Sequence, residues 1–167
     1  MTLKKIVGGF AVAFVAVGLA GFGSAAHAQS QKQLDIAAAR AQQKAVVGAN
    51  MNLSSSEQAA FWPLYDKYEK AMDKIEDRHF NEIKDFAKNY NTMTDAAAKA
   101  KLDEVMEIAQ ARVDVQKEYI PQFRAIISQI KTTRFFQIDN KLHALVQCQL
   151  AQFVPLVRGP GEPAPQQ

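Results

Sequence analysis

Reactive side chains are sparse in this chain of 167 residues, and their spacing limits what chemistry they can do. Beyond residue 28 the histidines are His79 and His143, neither within a His-x3-His or Glu-x2-His pattern. A bound metal needs three or four ligands, and Met72, Met106 and Glu76 are the nearest candidates to join them, with no spacing that demands it. A packed or partly exposed histidine is the expectation, and no metal or cofactor is expected. His79 has a second use: a proton gained near pH 6 would place charge on an otherwise apolar stripe and loosen it. Cys148 is the single cysteine, so an intramolecular disulfide is ruled out. Its neighbours Leu145, Val146, Leu150 and Ala151 point to a small buried side chain, with an intermolecular disulfide as the alternative. The Asp and Glu residues offer no pair that stands out for acid–base work. G-x-S-x-G, zinc-protease and phosphate-loop motifs are lacking, so an enzyme is not expected.

Function must therefore be sought in the elements that carry these residues. The main one opens at Leu53–Tyr65. Ser54 can cap a helix and Glu57, three residues later, can reach back to the cap's own N–H. Phe61, Tyr65, Tyr68, Met72, Ile75, His79, Ile83, Phe86 and Tyr90 then recur at steps of three and four, one helical face with one polar exception. The face from Tyr65 through Tyr68, Met72, Ile75, His79 and Ile83 to Phe86 is a candidate client or dimer surface. Pro63 should bend this helix rather than end it. The opposite face is charged, with opposite signs four apart at Asp66 and Lys70, and reads as solvated.

Before it, Leu34 to Val47 reads as a short alanine-rich helix with Leu34, Ala38, Ala41 and Ala45 on one side, after a loose stretch at 29–33. Gly48, Asn50 and Asn52 supply a break. After it, Asn89, Asn91 and Thr92 mark a turn and Thr94 a cap. The next stripe is Leu102, Met106, Ala109, Val113, Gln116, Ile120, Phe123, Ile127 and Ile130, with Pro121 as a kink. The short turn predicts an antiparallel hairpin. From Ser128 a fourth helix should run to about Phe153, with Phe135, Ile138, Leu142, Leu145, Gln149 and Phe153 on one face. The Gly- and Pro-rich tail 158–167 has nothing to bury and is expected to be disordered.

Lys4 and Lys5 precede an apolar run from Ile6 to Phe22, and Ala26-His27-Ala28 forms an A-x-A site, the layout of a signal peptide cleaved after Ala28. An uncleaved anchor is the alternative, but 17 residues with four glycines fall short of a span of about 20. Removing residues 1–28 from 167 leaves 139 residues and lowers the net charge from +3 to +1. Lysines and acids then alternate with no basic block, which argues against nucleic acid.

A shift of 74 residues superposes Leu53 on Ile127, Ser54 on Ser128, Phe61 on Phe135 and Trp62 on Phe136. This internal repeat predicts two similar helix-start corners, at Leu53, Ser54, Glu57, Phe61, Trp62 and Pro63, and at Ile127, Ser128, Arg134, Phe135 and Phe136. Arg134 is expected to pair with Glu57 or Asp139. Asp139, Asn140 and Lys141 should link subunits or cap the neighbouring corner. The expected fold is all-α, about four helices in an elongated, bent antiparallel hairpin over residues 29–157. A helix from 55 to 90 would be roughly 54 Å long. A globule of 139 residues is roughly 35–40 Å across, so apolar surface must be covered by a second subunit or left open for a partner.

The segment L-S-S-S-E-Q-A-A-F-W-P-L-Y at 53–65, with R-F-F-Q-I-D-N-K at 134–141, resembles the periplasmic Spy/CpxP-like proteins, which carry two degenerate L-T-x-x-Q motifs. Here the first motif is Leu53-Ser54-Ser55-Ser56-Glu57 and the second Ile127-Ser128-Gln129-Ile130-Lys131, with serine capping in place of threonine. The resemblance covers about residues 50–157. It implies a periplasmic homodimer acting as an ATP-independent chaperone on unfolded or misfolded envelope proteins. The alternative it implies is a regulatory module that binds the periplasmic domain of an envelope-stress or metal-response sensor. A third reading is a structural protein whose apolar face is consumed by dimerisation.

Overall fold

The computed structural model describes residues 25–152 and 154–158, with side chains from residue 38. The expected signal peptide, through residue 24, Phe153 and the tail beyond Arg158 lie outside the described residues. Two compact units divide the chain at Arg40 and Ala41. The described part of the first is helical from Ala25, so residues 29–33 are helix rather than a loose stretch. No strand occurs among the described residues, and the four helices are α1 (Ala25–Met51), α2 (Ser55–Asn89), α3 (Asp95–Ile126) and α4 (Gln129–Ala151). None of them is long and apolar enough to cross a membrane.

In the second unit α1 runs through Gly48 and Asn50 and stops at Met51. Gly48 is therefore no breaker, and the turn is made by Asn52 with φ 48°, a left-handed conformation that asparagine tolerates. The buried side chains of α1 are Val47 and Met51, whereas Ala38, Ala41 and Ala45 are exposed. The side that carries these alanines is therefore the solvent side. The two larger residues at i and i+4 bury more apolar area per site, and packing selects that face instead.

Ser54 caps α2 as its sequence requires. Its hydroxyl accepts from Glu57 N–H at 3.3 Å, and its own N–H donates to Glu57 Oε2 at 2.8 Å. α2 continues through Pro63, whose missing N–H leaves the Ala59 carbonyl at an exposed residue where water can satisfy it. Thr94 caps α3 by accepting from Ala97 N–H at 3.3 Å. Ser128 caps α4 by accepting from Lys131 N–H at 3.2 Å.

Helix directions follow from which residues meet. Between α2 and α3, Arg78 meets Glu104, Met72 meets Arg112 and Phe61 meets Phe123, so the numbers run in opposite senses and the pair is an antiparallel hairpin. Between α2 and α4, Glu57 meets Lys131, Phe61 meets Phe135 and Glu76 meets His143, so α4 runs in the sense of α2. The core gathers where α1, α2, α3 and α4 converge: Val47, Met51, Phe61, Tyr65, Tyr68, Met72, Phe123, Ile127 and Phe135. Phe135 sits at its centre, 4.5 Å from the Phe123 ring and 5.4 Å from Phe61 in an edge-to-face contact.

The repeat acquires a physical meaning here. Its equivalent positions Glu57 and Lys131 form an ion pair at 2.5 Å, and the equivalent Phe61 and Phe135 pack on each other. Each copy caps its own helix, and the third residue of each helix reaches across to the other.

The first half of the α3 stripe is displaced from its expected position, whereas Phe123 and Ile127 of the same stripe are buried. Leu102, Met106, Ala109 and Val113 are exposed, and the inward face is instead Ile108 with half-buried Lys101, Glu104, Ala111, Arg112 and Val115. The two faces differ by one residue, about 100° around the helix. Polar residues that bond across the hairpin have outcompeted apolar ones for the inward position.

Beyond α4 the chain returns to the α2–α3 turn. Arg158 N–H donates to the Tyr90 carbonyl at 3.4 Å and its guanidinium to Asn91 Oδ1 at 3.3 Å. The first residue of the expected disordered tail is thus held, and residues 154–157 are non-helical.

Candidate functional site

Three features could act on something outside the chain, and each is set by the face a helix turns toward its neighbours. The first is a polar seam. Arg112 of α3 donates to Asp139 Oδ2 at 2.6 Å, to Glu76 Oε1 at 3.5 Å and toward Met72 Sδ at 3.8 Å. Gln116 adds bonds to Asp139 at 3.1 Å and to Asn140 at 3.2 Å. His143 Nδ1 lies 3.4 Å from Glu76 Oε1, and Gln147 bonds His79 Nδ1 at 3.4 Å. The His143 contact, with Arg112 beyond it, holds the Glu76 carboxyl below its ordinary range despite burial. The two histidines thus share one seam between α2 and α4. Among the described residues no group of three His, Cys, Asp or Glu is placed to hold a metal.

This seam corrects two expectations. Asp139 and Asn140 bind α4 to α3 within one chain rather than between subunits. Arg134 is exposed and makes no ion pair among the described residues: Lys131 takes Glu57 and Arg112 takes Asp139. The reason is helical phase. Lys131, at the third position of α4, faces the third position of α2, and Arg134 is turned to the solvent side.

The second feature is what the α2 stripe has become. Tyr65, Tyr68 and Met72 are buried inside the chain and offer no surface to a client or a second subunit. Burial, with the Asp139 charge nearby, pushes both phenols above their ordinary range, so they stay neutral. Ile75, His79, Ile83 and Phe86 are half-buried. Leu53, Trp62 and Phe136 pack against the core from its edge, Pro63 is exposed, and Ile127 is buried at the second corner. Lys44, paired with Asp66 at 2.6 Å, lies over the Trp62 ring at 5.1 Å, so Asp66 looks to α1 and not to Lys70.

Apolar surface is offered elsewhere. On α3, Leu102 is 63% exposed and Met106 62%, with Val105 at 38% within the same turn and Val113 at 40% about two turns beyond Met106. Ile130, Leu145 and Val146 are exposed on α4 and Phe80 on α2. Cys148 is exposed as well, not the buried residue its neighbours implied, because the same face of α4 that carries Leu145 is left uncovered.

The third feature is a groove of about 550 Å³ between α2 and α3, lined by Arg78, Asn81, Glu82, Asp85, Ala100, Lys101 and Glu104. Arg78 grips Glu104 with two bonds of 2.6 and 2.8 Å and reaches Glu107 at 2.7 Å; Lys101 pairs with Asp85. These cations pull the Glu104 and Asp85 carboxyls down from their ordinary range. Glu82 is only 8% exposed and has neither a hydrogen bond nor an ion pair among the described residues, and its burial pushes the carboxyl up.

Sequence reasoning missed Glu82, and it named Glu76 without its role. Spacing contained the signal: Glu76 lies four beyond Met72 and Glu82 three beyond His79, both on the inward stripe. Arg112, four before Gln116, is signalled in the same way. A search for apolar periodicity passes over charged residues that occupy an apolar phase. Comparison with protein-family models, with curated proteins and with solved structures gave no match.

Proposed function

We propose that this protein is an exported helical chaperone that shields aggregation-prone envelope polypeptides without ATP, and that it performs no catalysis. The observation that carries this reading is the exposed run Leu102, Val105, Met106 and Val113 on α3, interleaved with Asp103, Glu107 and Asp114. A surface of this kind holds an unfolded chain weakly through many small apolar contacts while charge draws it in and keeps the complex in solution. The signal-peptide layout at residues 4–28 and the resemblance of both corners to the Spy/CpxP-like motifs support the same reading. The helices that present the run are pinned by the Arg78–Glu104 and Lys101–Asp85 pairs, so the surface is preformed.

The test is light scattering from a denatured client diluted at pH 7 without nucleotide. Equimolar protein should suppress aggregation. Leu102→Asp with Met106→Asp should weaken suppression several-fold at unchanged helicity. Absence of suppression over a wide range of ratios would sink the proposal. A solution mass showing a dimer, together with no binding of an apolar dye, would assign the run to a subunit seam instead. Capture of one sensor domain without general anti-aggregation activity would favour the regulatory role.

A further inference from the structure

The Glu82 side chain is 8% exposed, yet its carboxyl oxygens still meet solvent in the groove, where they take no hydrogen bond or ion pair among the described residues. A carboxylate that loses part of its hydration in a groove is favoured by an oppositely charged partner that replaces what is lost. Every other charged side chain of the groove wall has such a partner. Arg78 is engaged by Glu104 and Glu107, and Lys101 by Asp85. Glu82 is the carboxylate left over, 8% exposed and lining the open space.

Charge fixes what would complement it. The wall holds two cations, Arg78 and Lys101, against three acids, Glu82, Asp85 and Glu104, so one positive charge makes it neutral. A metal ion is disfavoured, because the described residues form no three-ligand group. An organic cation needs fewer ligands, and about 550 Å³ lies within the range of roughly 300–1,000 Å³ for small-ligand sites. Asn81 adds an amide to the wall, and Ala100 leaves room where a larger side chain would fill it. Leu102 and Val105, neighbours of Lys101 and Glu104 along α3, put exposed apolar surface next to this groove.

We propose that the α2–α3 groove seats the cationic side chain of a bound polypeptide, arginine or lysine, with Glu82 as its carboxylate partner. The client rests on the chaperone reading above, whereas the groove itself is tested without it. A chain engaged here sets a basic residue against Glu82 and flanking apolar residues against the α3 run. Selection of segments that mix basic and apolar residues follows. Guanidinium has the advantage over ammonium, being planar and weakly hydrated.

The experiment titrates the purified protein with N-acetyl-arginine amide, N-acetyl-lysine amide and the neutral N-acetyl-glutamine amide, reading backbone amide shifts by NMR. The cationic probes should give saturable shifts confined to residues 78–85 and 100–104, with the neutral probe giving none. Binding by arginine alone assigns the site to guanidinium, and binding by both assigns it to either cation. Glu82→Gln should weaken binding at least tenfold. Lys101→Gln, which frees Asp85, should tighten it, a sign that loss of fold cannot produce. Equal shifts from the neutral probe, unchanged affinity in Glu82→Gln, or weaker binding in Lys101→Gln would each overturn the proposal. Probe binding without aggregation suppression would leave the groove standing and remove the chaperone reading alone.

Discussion

The two ends of the α2–α3 hairpin are built from the same amphipathic pattern and end in different physical states. At the corner end, α1 and α4 join the hairpin, and the stripe Phe61, Tyr65, Tyr68 and Met72 is enclosed with Phe123 and Phe135. Toward the turn, Ile75, His79, Ile83 and Phe86 are only half-buried, and the hairpin is tied by Arg78–Glu104, Arg78–Glu107 and Lys101–Asp85. An apolar periodicity marks a face that can be covered. Whether it becomes core depends on how many helices arrive to cover it. Beyond α1, α4 covers one side of the hairpin only, through His143 on Glu76 and Gln147 on His79, so charged residues take inward positions and apolar ones such as Met106 stay in contact with solvent.

The largest test of this contrast compares Phe135→Ala with Met106→Ala. The first removes the ring at the centre of the aromatic cluster and should cost about 3–5 kcal/mol in urea unfolding. The second truncates an exposed side chain and should stay within about 0.5 kcal/mol. A Met106→Ala cost approaching that of Phe135→Ala would show that the α3 run is buried in solution against another chain.

Next in size is the Arg112–Asp139 pair, whose side chains are 13% and 7% exposed. Asp139→Ala leaves the guanidinium only its longer 3.5 Å contact with Glu76 and should cost about 3 kcal/mol. Arg112→Met combined with Asp139→Leu should recover most of that loss, since the cost comes from a buried charge that has lost its close partner. No recovery in the double variant would mean that the seam positions the helices by its hydrogen bonds.

A smaller effect should appear in acid. The Lys131 ammonium, with the Ser54 N–H, holds the Glu57 carboxyl at about 2, below its ordinary 4.5. A carboxyl depressed in the folded state stabilises it fully above the ordinary value, and that contribution is lost as pH falls toward 2. Urea midpoints of Glu57→Gln should therefore fall less steeply than wild type between pH 4.5 and 2. Equal slopes would show that the two corners are not coupled through this pair.

The smallest prediction concerns Gly48. A methyl added there meets the Trp62 ring at 3.5 Å, ordinary contact distance, in a helix interior. Gly48→Ala should raise stability by about 0.5–1 kcal/mol, read as a higher thermal midpoint.

Local rules made much of this molecule legible. Ser54, Thr94 and Ser128 each cap the helix that their sequence predicts, because a cap needs only its own next three residues. The four helices and the antiparallel hairpin follow from period and turn length. The 74-residue echo identified both corners, with Phe61 and Phe135 as its aromatic anchors. Even where sequence erred, at Gly48 and Asn50, the error was local: α1 continued through them because Val47 and Met51 gain more by burial than a lone glycine costs.

Tertiary structure alone decided partners and phase. Arg112 with Asp139, Lys131 with Glu57, and the two histidines in one seam join residues far apart in the chain, where no local pattern constrains the pairing. In the first half of α3 the inward face turned one residue from the apolar stripe, while Phe123 and Ile127 kept it where α1 and α4 complete the burial. Glu82 shows the same division. Its place on the stripe could be read from spacing, but only the packed hairpin shows that both neighbouring cations are already taken.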